Sequence, residues 1–149
     1  MEYLAAELGS DTAFFVADRP ALATGRGEIL SPIELSMKGY RLVIVKPNVG
    51  VSTAEAYAHV TPHMPETALT EQLAQPVECW KELVRNDFEG SVFPQYPRIA
   101  QIKQQLYAMG ALYASMSGSG SAVYGIFAGD CPTVQNDFLD CFVYQEDMV

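Results

Sequence analysis

The sequence predicts an α+β fold, a two-layer sandwich in which helices cover one face of a mostly antiparallel sheet. Beyond residue 35 the elements are predicted in the order strand, helices, helix, strand, strand, helix, strand. The strands are mostly joined by hairpins, which favours antiparallel pairing. Hydrophobic residues make up 49% of the 149 residues and charged residues only 18%. This composition supports a core without disulfides or metal.

The charge balance excludes some classes of partner. Nine Lys and Arg residues against eighteen Asp and Glu residues give a net charge of -9, and no basic cluster occurs. A nucleic-acid backbone would be repelled, so no nucleic-acid partner is expected. No apolar run approaches the ~18 residues of a membrane helix, and no signal peptide opens the chain. We therefore expect a soluble cytoplasmic protein with no membrane partner.

The cysteines and histidines do not form a recognisable metal or disulfide framework. His59 and His63 are four residues apart, but Pro62 breaks the helix that would place both on one face. The cysteines are odd in number and lack C-x-x-C spacing, which favours reduced thiols in a cytosolic protein. They are Cys79, Cys131 and Cys141. No metal site is expected.

The first part of the chain predicts short elements separated by turns. Residues 40–45 form a strongly β-prone run, and Pro47 ends it because proline cannot donate a ladder hydrogen bond. Because the chain opens inside an amphipathic helix, it is expected to be truncated. The earlier elements are a helix over 2–8, strands over 14–16, 21–23 and 29–30, and turns at 18–20 and 25–27.

An S-x-x-E motif predicts the next helix. Ser52 is the expected N-cap and Glu55 is expected to reach back to it, so the helix should run from Thr53 to about His59. Thr53 and Tyr57 are four residues apart and therefore share one helix face.

The middle of the chain is predicted to be helical with an irregular start. A loop over 61–75 carries a turn of helix near residues 69–73, and a helix follows over 80–84. A capped turn is predicted over 86–90. The helix predicted over 97–109 has proline in its first turn and glycine after its end. Its apolar stripe predicts core positions at Ile99, Ile102, Leu106 and Met109.

A glycine-serine loop, residues 116–121, lies between apolar runs at 111–114 and 122–127. Its glycines can take positive φ and its backbone N–H groups are unencumbered, so the loop can wrap an anion; a simple hairpin turn is the alternative. It does not fit a dinucleotide fingerprint or a Walker A loop, because the required glycine and lysine are absent. A helix over 132–139 and a strand over 141–144 complete the prediction.

Five segments in register resemble the C-terminal half of the 4-diphosphocytidyl-2-C-methyl-D-erythritol kinases. These kinases belong to the superfamily of galactokinase, homoserine kinase, mevalonate kinase and phosphomevalonate kinase. Each motif is weak alone, but the five together span more than a hundred residues. The segments are Leu8–Phe15, Ala23–Glu28, Val51–Tyr57, Asn86–Glu89 and Met116–Ser121.

The resemblance implies a C-terminal kinase domain with a ferredoxin-like α+β fold over 36–149. Residues 1–35 would be the last part of the N-terminal domain. The implied reaction is ATP-dependent phosphorylation of a hydroxyl on 4-(cytidine 5′-diphospho)-2-C-methyl-D-erythritol, in the non-mevalonate isoprenoid pathway. The implied cofactor is ATP with Mg²⁺, whose main ligands would lie in the N-terminal half that this chain lacks.

The resemblance also implies roles for single residues. Asp11 corresponds to the aspartate that accepts a proton from, or orients, the attacking hydroxyl, although composition alone favours a turn or N-cap aspartate. Arg26, Thr53 and Tyr57 correspond to substrate-binding positions, with Tyr57 stacking on cytosine; a solvated turn arginine and a core tyrosine are the alternatives. The loop expected to support the nucleotide site is Ser117, Gly118, Ser119, Gly120 and Ser121.

These expectations describe part of a kinase that is inactive alone. If residues 1–35 lack their sheet partners, they are expected to pair elsewhere, for instance across a homodimer. The competing interpretation is a stand-alone ligand-binding or regulatory α+β domain that uses the glycine-serine loop without catalysis.

Overall fold

The computed structural model describes residue 14 and residues 19–129 and 133–149. The chain forms two compact units, residues 1–36 and residues 37–149. Each unit is described by itself.

The first unit contains a β-hairpin. Strands β1 (Ala21–Thr24) and β2 (Ile29–Pro32) pair antiparallel, with Ala21 opposite Pro32 and Thr24 opposite Ile29. Gly25 and Gly27 in the connecting turn have φ angles of 71° and 102°, which glycine adopts without steric cost. The turn predicted at 25–27 is therefore confirmed.

Phe14 is helical, so the strand predicted over 14–16 is wrong at its first residue. The strand preference of aromatic residues reflects packing against neighbours more than an intrinsic backbone preference, so it is overridden easily. The rest of that segment, and the helix predicted over 2–8, lie outside the described residues.

The second unit is built on a four-stranded antiparallel sheet. Its strands are β3 (Tyr40–Pro47), β4 (Tyr113–Met116), β5 (Val123–Ala128) and β6 (Cys141–Asp147). Their order across the sheet is β4-β5-β3-β6, the ferredoxin-like arrangement in which the first and third strands are central. This sheet confirms the predicted α+β class and antiparallel pairing.

Four of the five helices described in the second unit follow the predicted helical positions closely, and the fifth, Phe88–Val92, begins within the segment 86–90 that is predicted as a capped turn. Pro97 stands in the first turn of the longest helix, and Gly110 after its end has a φ of 101°, as expected of a C-terminal glycine. Their bounds are α1 (Thr53–His59), α2 (Leu69–Leu73), α3 (Trp80–Leu83), α4 (Phe88–Val92) and α5 (Pro97–Ala108).

The hydrophobic core lies between α5 and one face of the sheet. Ile99, Ile102 and Leu106 are fully buried, which confirms the apolar stripe predicted for this helix, and Met109 packs against the same core. They meet the inward-facing side chains of the central strands, which alternate along each strand as a period of two requires. Those side chains include Val43, Val45, Val123 and Phe127.

The helix predicted over 132–139 is wrong in the described part of that segment. Residues 133–139 contain only a 3₁₀ turn, Gln135–Asp137. Val134 and Phe138 are buried at the helical spacing of four, but Asn and Asp between them are weak helix formers that favour turns. The Gln145 side chain also accepts a hydrogen bond from the Val134 N–H at 3.2 Å, which anchors the segment to β6.

The opposite face of the sheet is covered at the β4 edge by α3. Trp80 is 4% exposed, and its ring lies edge-on to Tyr113 with centroids 5.7 Å apart. Tyr113 in turn contacts Tyr124 of β5 at 6.0 Å. Because Tyr113 alternates with Ala114, which lies in the α5-facing core, these aromatic rings form a second, smaller apolar layer.

Two ion pairs hold the ends of β6. The Arg98 guanidinium contacts both carboxylate oxygens of Asp140 at 2.6 and 3.0 Å, immediately before the strand begins. Arg41 of β3 contacts Asp147 at the other end, at 2.6 Å. Bidentate geometry gives such pairs directional strength as well as charge attraction. The ion pairs therefore help to fix the position of this edge strand.

Two of the cysteines, Cys79 and Cys141, are free thiols, and Cys131 lies outside the described residues. Among the helices that the structure describes, none is long and apolar enough to cross a lipid bilayer.

The Arg98–Asp140 pair predicts an acid-sensitive contribution to stability. Arg98 lowers the pKa of Asp140 below its ordinary value of 3.8. The stabilisation is therefore complete above that value and is lost as the pH falls through the lower pKa of the folded state. We expect Asp140→Asn to lower the urea midpoint at pH 7, and the difference from the unmodified chain to shrink below pH 3.8.

The control is Asp137→Asn, which removes a carboxylate that has no ion-pair partner in the described residues. A difference between the Asp140→Asn chain and the unmodified chain that persists unchanged at low pH would contradict the assignment. High salt should reduce the effect, because both groups are exposed to solvent.

Candidate functional site

The glycine-serine loop connects two neighbouring antiparallel strands, β4 and β5. The Ser117 N–H donates to the Ala122 carbonyl at 2.8 Å, and the Gly120 N–H donates to the Ser117 carbonyl at 3.0 Å. Gly118 and Gly120 have φ angles of 54° and 104°, so the loop needs glycine at both positions. The hairpin predicted here is confirmed, and its backbone bonds close a compact turn.

Asn86, just before α4, holds the loop from the side. Its amide nitrogen donates to the carbonyl oxygens of Met116 and Gly118, both at 2.8 Å. Both partners are acceptors, so the nitrogen must face them. The amide oxygen accepts from the Phe88 N–H at 3.0 Å, which fixes the side chain in an Asx turn.

Glu89 holds the end of β4 immediately before the loop. One carboxylate oxygen accepts from the Met116 N–H at 2.9 Å and from the Ser115 hydroxyl at 3.2 Å. The other oxygen pairs with the Lys103 ammonium of α5. The Glu89 side chain is only 15% exposed, so this charge-assisted pair is shielded from solvent.

The N-terminus of α1 meets the same loop. Ser52 is the N-cap and accepts from the Glu55 N–H, which confirms the predicted cap. The Glu55 carboxylate accepts instead from the Tyr96 hydroxyl at 3.2 Å, so the reciprocal half of the capping box is not formed. Thr53 and Ser119 share a hydrogen bond between their hydroxyls at 3.3 Å.

Tyr57 lies one turn further along α1 and is exposed. Its side chain is 63% exposed, which rules out the alternative of an ordinary core tyrosine. The ring contacts Phe88 edge-on, with centroids 4.8 Å apart. Ser91 adds a hydrogen bond from α4 to the Ala56 carbonyl at 3.3 Å. The α1 face that carries Thr53 and Tyr57 is therefore fixed against both the loop and α4.

A cleft of about 470 Å³ opens beside the loop. Asn86, Ser117 and Gly118 line one side, and the rings of Tyr113 and Tyr124 line another. Burial raises the pKa of both tyrosine hydroxyls above the ordinary value of 10.0, so both remain protonated at neutral pH. The cleft therefore offers hydroxyl groups without a negative charge from the tyrosines.

A larger groove of about 910 Å³ lies along α2 and α3, and none of the predicted site residues that the structure describes line it. Its rim carries Glu71, Glu78 and Glu82. Three carboxylates would repel an anionic ligand such as a nucleoside diphosphate. The smaller cleft beside the loop is lined by one cation, Arg85, and one carboxylate, Asp87, so it repels such a ligand less.

The remaining predicted site residues lie in the first unit. Arg26 is an exposed residue of the β1–β2 turn, where its backbone N–H donates to the Glu28 carboxylate at 2.5 Å. Asp11 lies outside the described residues. Within the described part of the chain, the structure shows no cluster of three or more His, Cys, Asp or Glu residues that could hold a metal ion.

Comparison with known proteins finds a family match within the second unit. Residues 68–137 match the family described as GHMP kinases C terminal, and this range contains Asn86, Glu89 and the whole glycine-serine loop. The chain is 49% identical over 148 residues to the 4-diphosphocytidyl-2-C-methyl-D-erythritol kinase of Bacteroides fragilis, covering 99% of this chain. This chain is a homologue of the C-terminal half of that kinase.

Two other relatives match this chain with similar identity and coverage. The kinases of the same description from Bacteroides thetaiotaomicron and Parabacteroides distasonis are 53% identical over 138 residues and 51% identical over 148 residues. Alignment to the first covers 93% of this chain and 50% of the relative; for the second the values are 97% and 54%. The Bacteroides fragilis protein is likewise covered over 54% of its length. The chain therefore spans about half the length of the curated relatives it matches.

Solved structures show the same fold. A crystal structure of 4-(cytidine 5′-diphospho)-2C-methyl-D-erythritol kinase superposes with a TM-score of 0.73 at 28% identity, over 97% of this chain and 55% of that protein. The homoserine kinase of Cytophaga hutchinsonii superposes with a TM-score of 0.62 at 17% identity, over 86% and 48%. The second likeness shows the fold alone.

Sequence reasoning found the loop and α1 but assigned no role to Asn86 or Glu89. In the sequence, segment 86–89 is one of the five segments that carry the family resemblance, and it lies in a predicted capped turn. No local pattern shows that these two side chains reach residues about thirty positions later in the chain. These contacts depend on how α4 packs beside the end of β4 in the folded chain.

Gly120 provides a test of the loop geometry. A Cβ at this position would lie 3.1 Å from the Met116 sulfur and 3.4 Å from a Val51 methyl group, at a φ of +104°. We expect Gly120→Ala to destabilise the chain by about 1–3 kcal/mol, measured by urea denaturation, because the backbone conformation is strained for any L side chain.

Gly90 is the matched control. It lies within α4, and a Cβ there would meet nothing within 4 Å. Gly90→Ala should stabilise the chain by about 0.5–1 kcal/mol, since alanine loses less conformational entropy in a helix. Changes of the same sign and size in both variants would show that the loop does not require glycine.

Proposed function

We propose that this chain contributes the C-terminal half of an ATP-dependent kinase that phosphorylates a hydroxyl of 4-(cytidine 5′-diphospho)-2-C-methyl-D-erythritol. The observation that carries the proposal is that nearly the whole of this chain aligns with kinases of that description, at 49% and 53% identity. In this proposal residues 36–149 are the C-terminal domain, and residues 1–35 belong to the domain that holds the nucleotide.

The α1 face supports a role in binding the cytidine part of the substrate. Tyr57 presents an exposed ring that is already fixed edge-on by Phe88, and an aromatic face can stack on a nucleobase. Thr53 presents a hydroxyl beside Ser119 on the same face. We assign stacking to Tyr57 and a polar contact to Thr53.

The glycine-serine loop supports a role in shaping the nucleotide site. Its backbone is locked by its own hydrogen bonds and by Asn86, so residues Ser117–Ser121 present a rigid surface. Phosphoryl transfer depends on positioning and electrostatic stabilisation rather than on covalent chemistry by the protein. We assign to this loop the support of the bound nucleotide, and not the main phosphate contacts.

We assign the chemical role to Asp11 and a charge role to Arg26. A hydroxyl that attacks a phosphoryl group must lose its proton, and a carboxylate within hydrogen-bond reach can accept or orient it. Arg26 carries a positive charge on an exposed glycine-flanked turn, which suits contact with the substrate diphosphate. When bound, ATP with Mg²⁺ would supply the transferred phosphoryl group.

The alternative is a ligand-binding domain without catalysis. The cleft and the exposed Tyr57 favour it, because they are complete within the second unit. This alternative predicts ligand binding by the chain, with no role for Asp11 in any turnover.

Substitution of Tyr57 tests the cytidine site in the chain itself. We expect Tyr57→Ala to weaken binding of cytidine 5′-diphosphate by about tenfold, measured by titration calorimetry, because stacking on an aromatic ring contributes ~1–3 kcal/mol per base. Tyr57→Phe should bind as the unmodified chain does, since the ring is kept. Tyr144→Ala, which removes another exposed tyrosine on β6, should have no effect.

Equal binding by the Tyr57→Ala and unmodified chains would contradict the assigned site.

Turnover tests the kinase proposal. The 149-residue chain should show no ATP-dependent phosphorylation above background, whereas a polypeptide joining it to the N-terminal half of the Bacteroides fragilis relative should be active. In that hybrid, Asp11→Asn should lower kcat by about 10²–10⁴-fold, the usual contribution of a general base.

The control in the hybrid is Asp137→Asn, an exposed aspartate on the 3₁₀ turn, which should leave kcat unchanged. An active hybrid that is indifferent to Asp11→Asn would refute the role of that aspartate. Activity of the 149-residue chain by itself would refute the need for the N-terminal half.

A further inference from the structure

We propose that Asn86 and Glu89 are positioning residues that set the geometry of the glycine-serine loop for the kinase reaction. The inference rests on the proposed function for its catalytic consequence, and on the described contacts for the positioning itself. Neither side chain needs to touch substrate or nucleotide. Both would act through the loop.

The two side chains grip one residue from both sides. Glu89 accepts from the Met116 N–H at 2.9 Å, and Asn86 donates to the Met116 carbonyl at 2.8 Å. Met116 is the last residue of β4, which is an edge strand in the described part of the chain, so no described strand pairs with its outward peptide groups. The two side chains therefore replace a missing strand at the point where the loop begins.

Asn86 extends this hold into the loop. Its second N–H reaches the Gly118 carbonyl, also at 2.8 Å, two residues beyond Met116. One planar amide thus fixes the separation of two carbonyl groups across the first turn of the loop. The Phe88 N–H bond to its oxygen orients the amide plane, so the spacing is set by α4 and not by the loop sequence alone.

Glu89 connects α5 to the backbone of Met116. Its second oxygen pairs with Lys103, which lies on the core helix. The Lys103 ammonium also lies 5.9 Å from the centre of the Phe93 ring, within the range of a cation–π contact. The Glu89 carboxylate is therefore held at both oxygens, and a displacement of the loop entrance would leave a shielded charge with fewer partners.

The positioning role is tested first in the 149-residue chain by amide hydrogen exchange. Asn86→Asp keeps the size and the oxygen that Phe88 contacts, but removes both N–H donors. We expect exchange at the Ser117 and Gly120 amides to accelerate about tenfold or more. Exchange at the buried α5 residues Ile102 and Leu106 should stay unchanged, which excludes a general loss of stability.

Three further variants sharpen this test. Asn86→Ala should accelerate loop exchange as Asn86→Asp does, without adding a charge. Glu89→Gln keeps an oxygen that can accept from the Met116 N–H, so it should retain more loop protection than Glu89→Ala. The matched control is Asn136→Ala, at an exposed asparagine of the 3₁₀ turn, which should leave loop exchange unchanged.

The second readout is the kinetics of the hybrid polypeptide described above. We expect Asn86→Asp to lower kcat by about tenfold or more while the KM for the cytidine substrate stays unchanged, since α1 is not altered. A purely structural role would lower the amount of active enzyme but leave the kcat of the folded fraction unchanged, so kcat is referred to active-site concentration.

The outcomes separate the two proposals. Unchanged loop exchange in Asn86→Asp overturns the positioning role, whatever the kinetics show. Faster loop exchange with unchanged kcat also overturns it, because the loop geometry would then not matter for the reaction. An inactive unmodified hybrid would count against the proposed function instead, and the exchange data alone would then decide whether Asn86 and Glu89 hold the loop.

Discussion

The two hydrogen bonds that Asn86 and Glu89 make to the Met116 backbone are the constraint on which the rest of the site depends. β4 ends there at the edge of the described sheet, so strand pairing with β5 holds only one side of the chain at this point. Side chains from one four-residue segment take over, one from each side of the peptide. Backbone groups at an exposed strand end otherwise bond to water, and the start of the loop would then be held only by its pairing with β5.

The same short segment also contacts helix α1. Phe88 lies between Asn86 and Glu89 in sequence and contacts Tyr57, while Thr53 of the same helix bonds to Ser119 of the loop. The contacts thus form a closed ring from α1 through α4 to the loop and back to α1. Each of these three elements is therefore held by contacts to the other two.

The sequence predicted what local patterns control. The S-x-x-E cap, the apolar stripe of α5 and the glycine-flanked loop each depend on neighbouring residues, and each was found with nearly correct bounds. The segment after β5 is predicted helical, yet Val134 and Phe138, four residues apart, are buried with only a 3₁₀ turn between them. Asn86 and Glu89 escaped notice because their partners are fixed by tertiary register, which no short pattern encodes.

A consequence of this arrangement concerns how a two-part active site is assembled. Every described contact that shapes the loop lies within residues 37–149. The loop is therefore preorganised before any other part of a kinase meets it, and the entropy of ordering its glycines is spent during folding of this unit. Docking against a nucleotide-holding domain would then cost no further conformational entropy in this loop, and its unfavourable part would be mainly the alignment of the two surfaces.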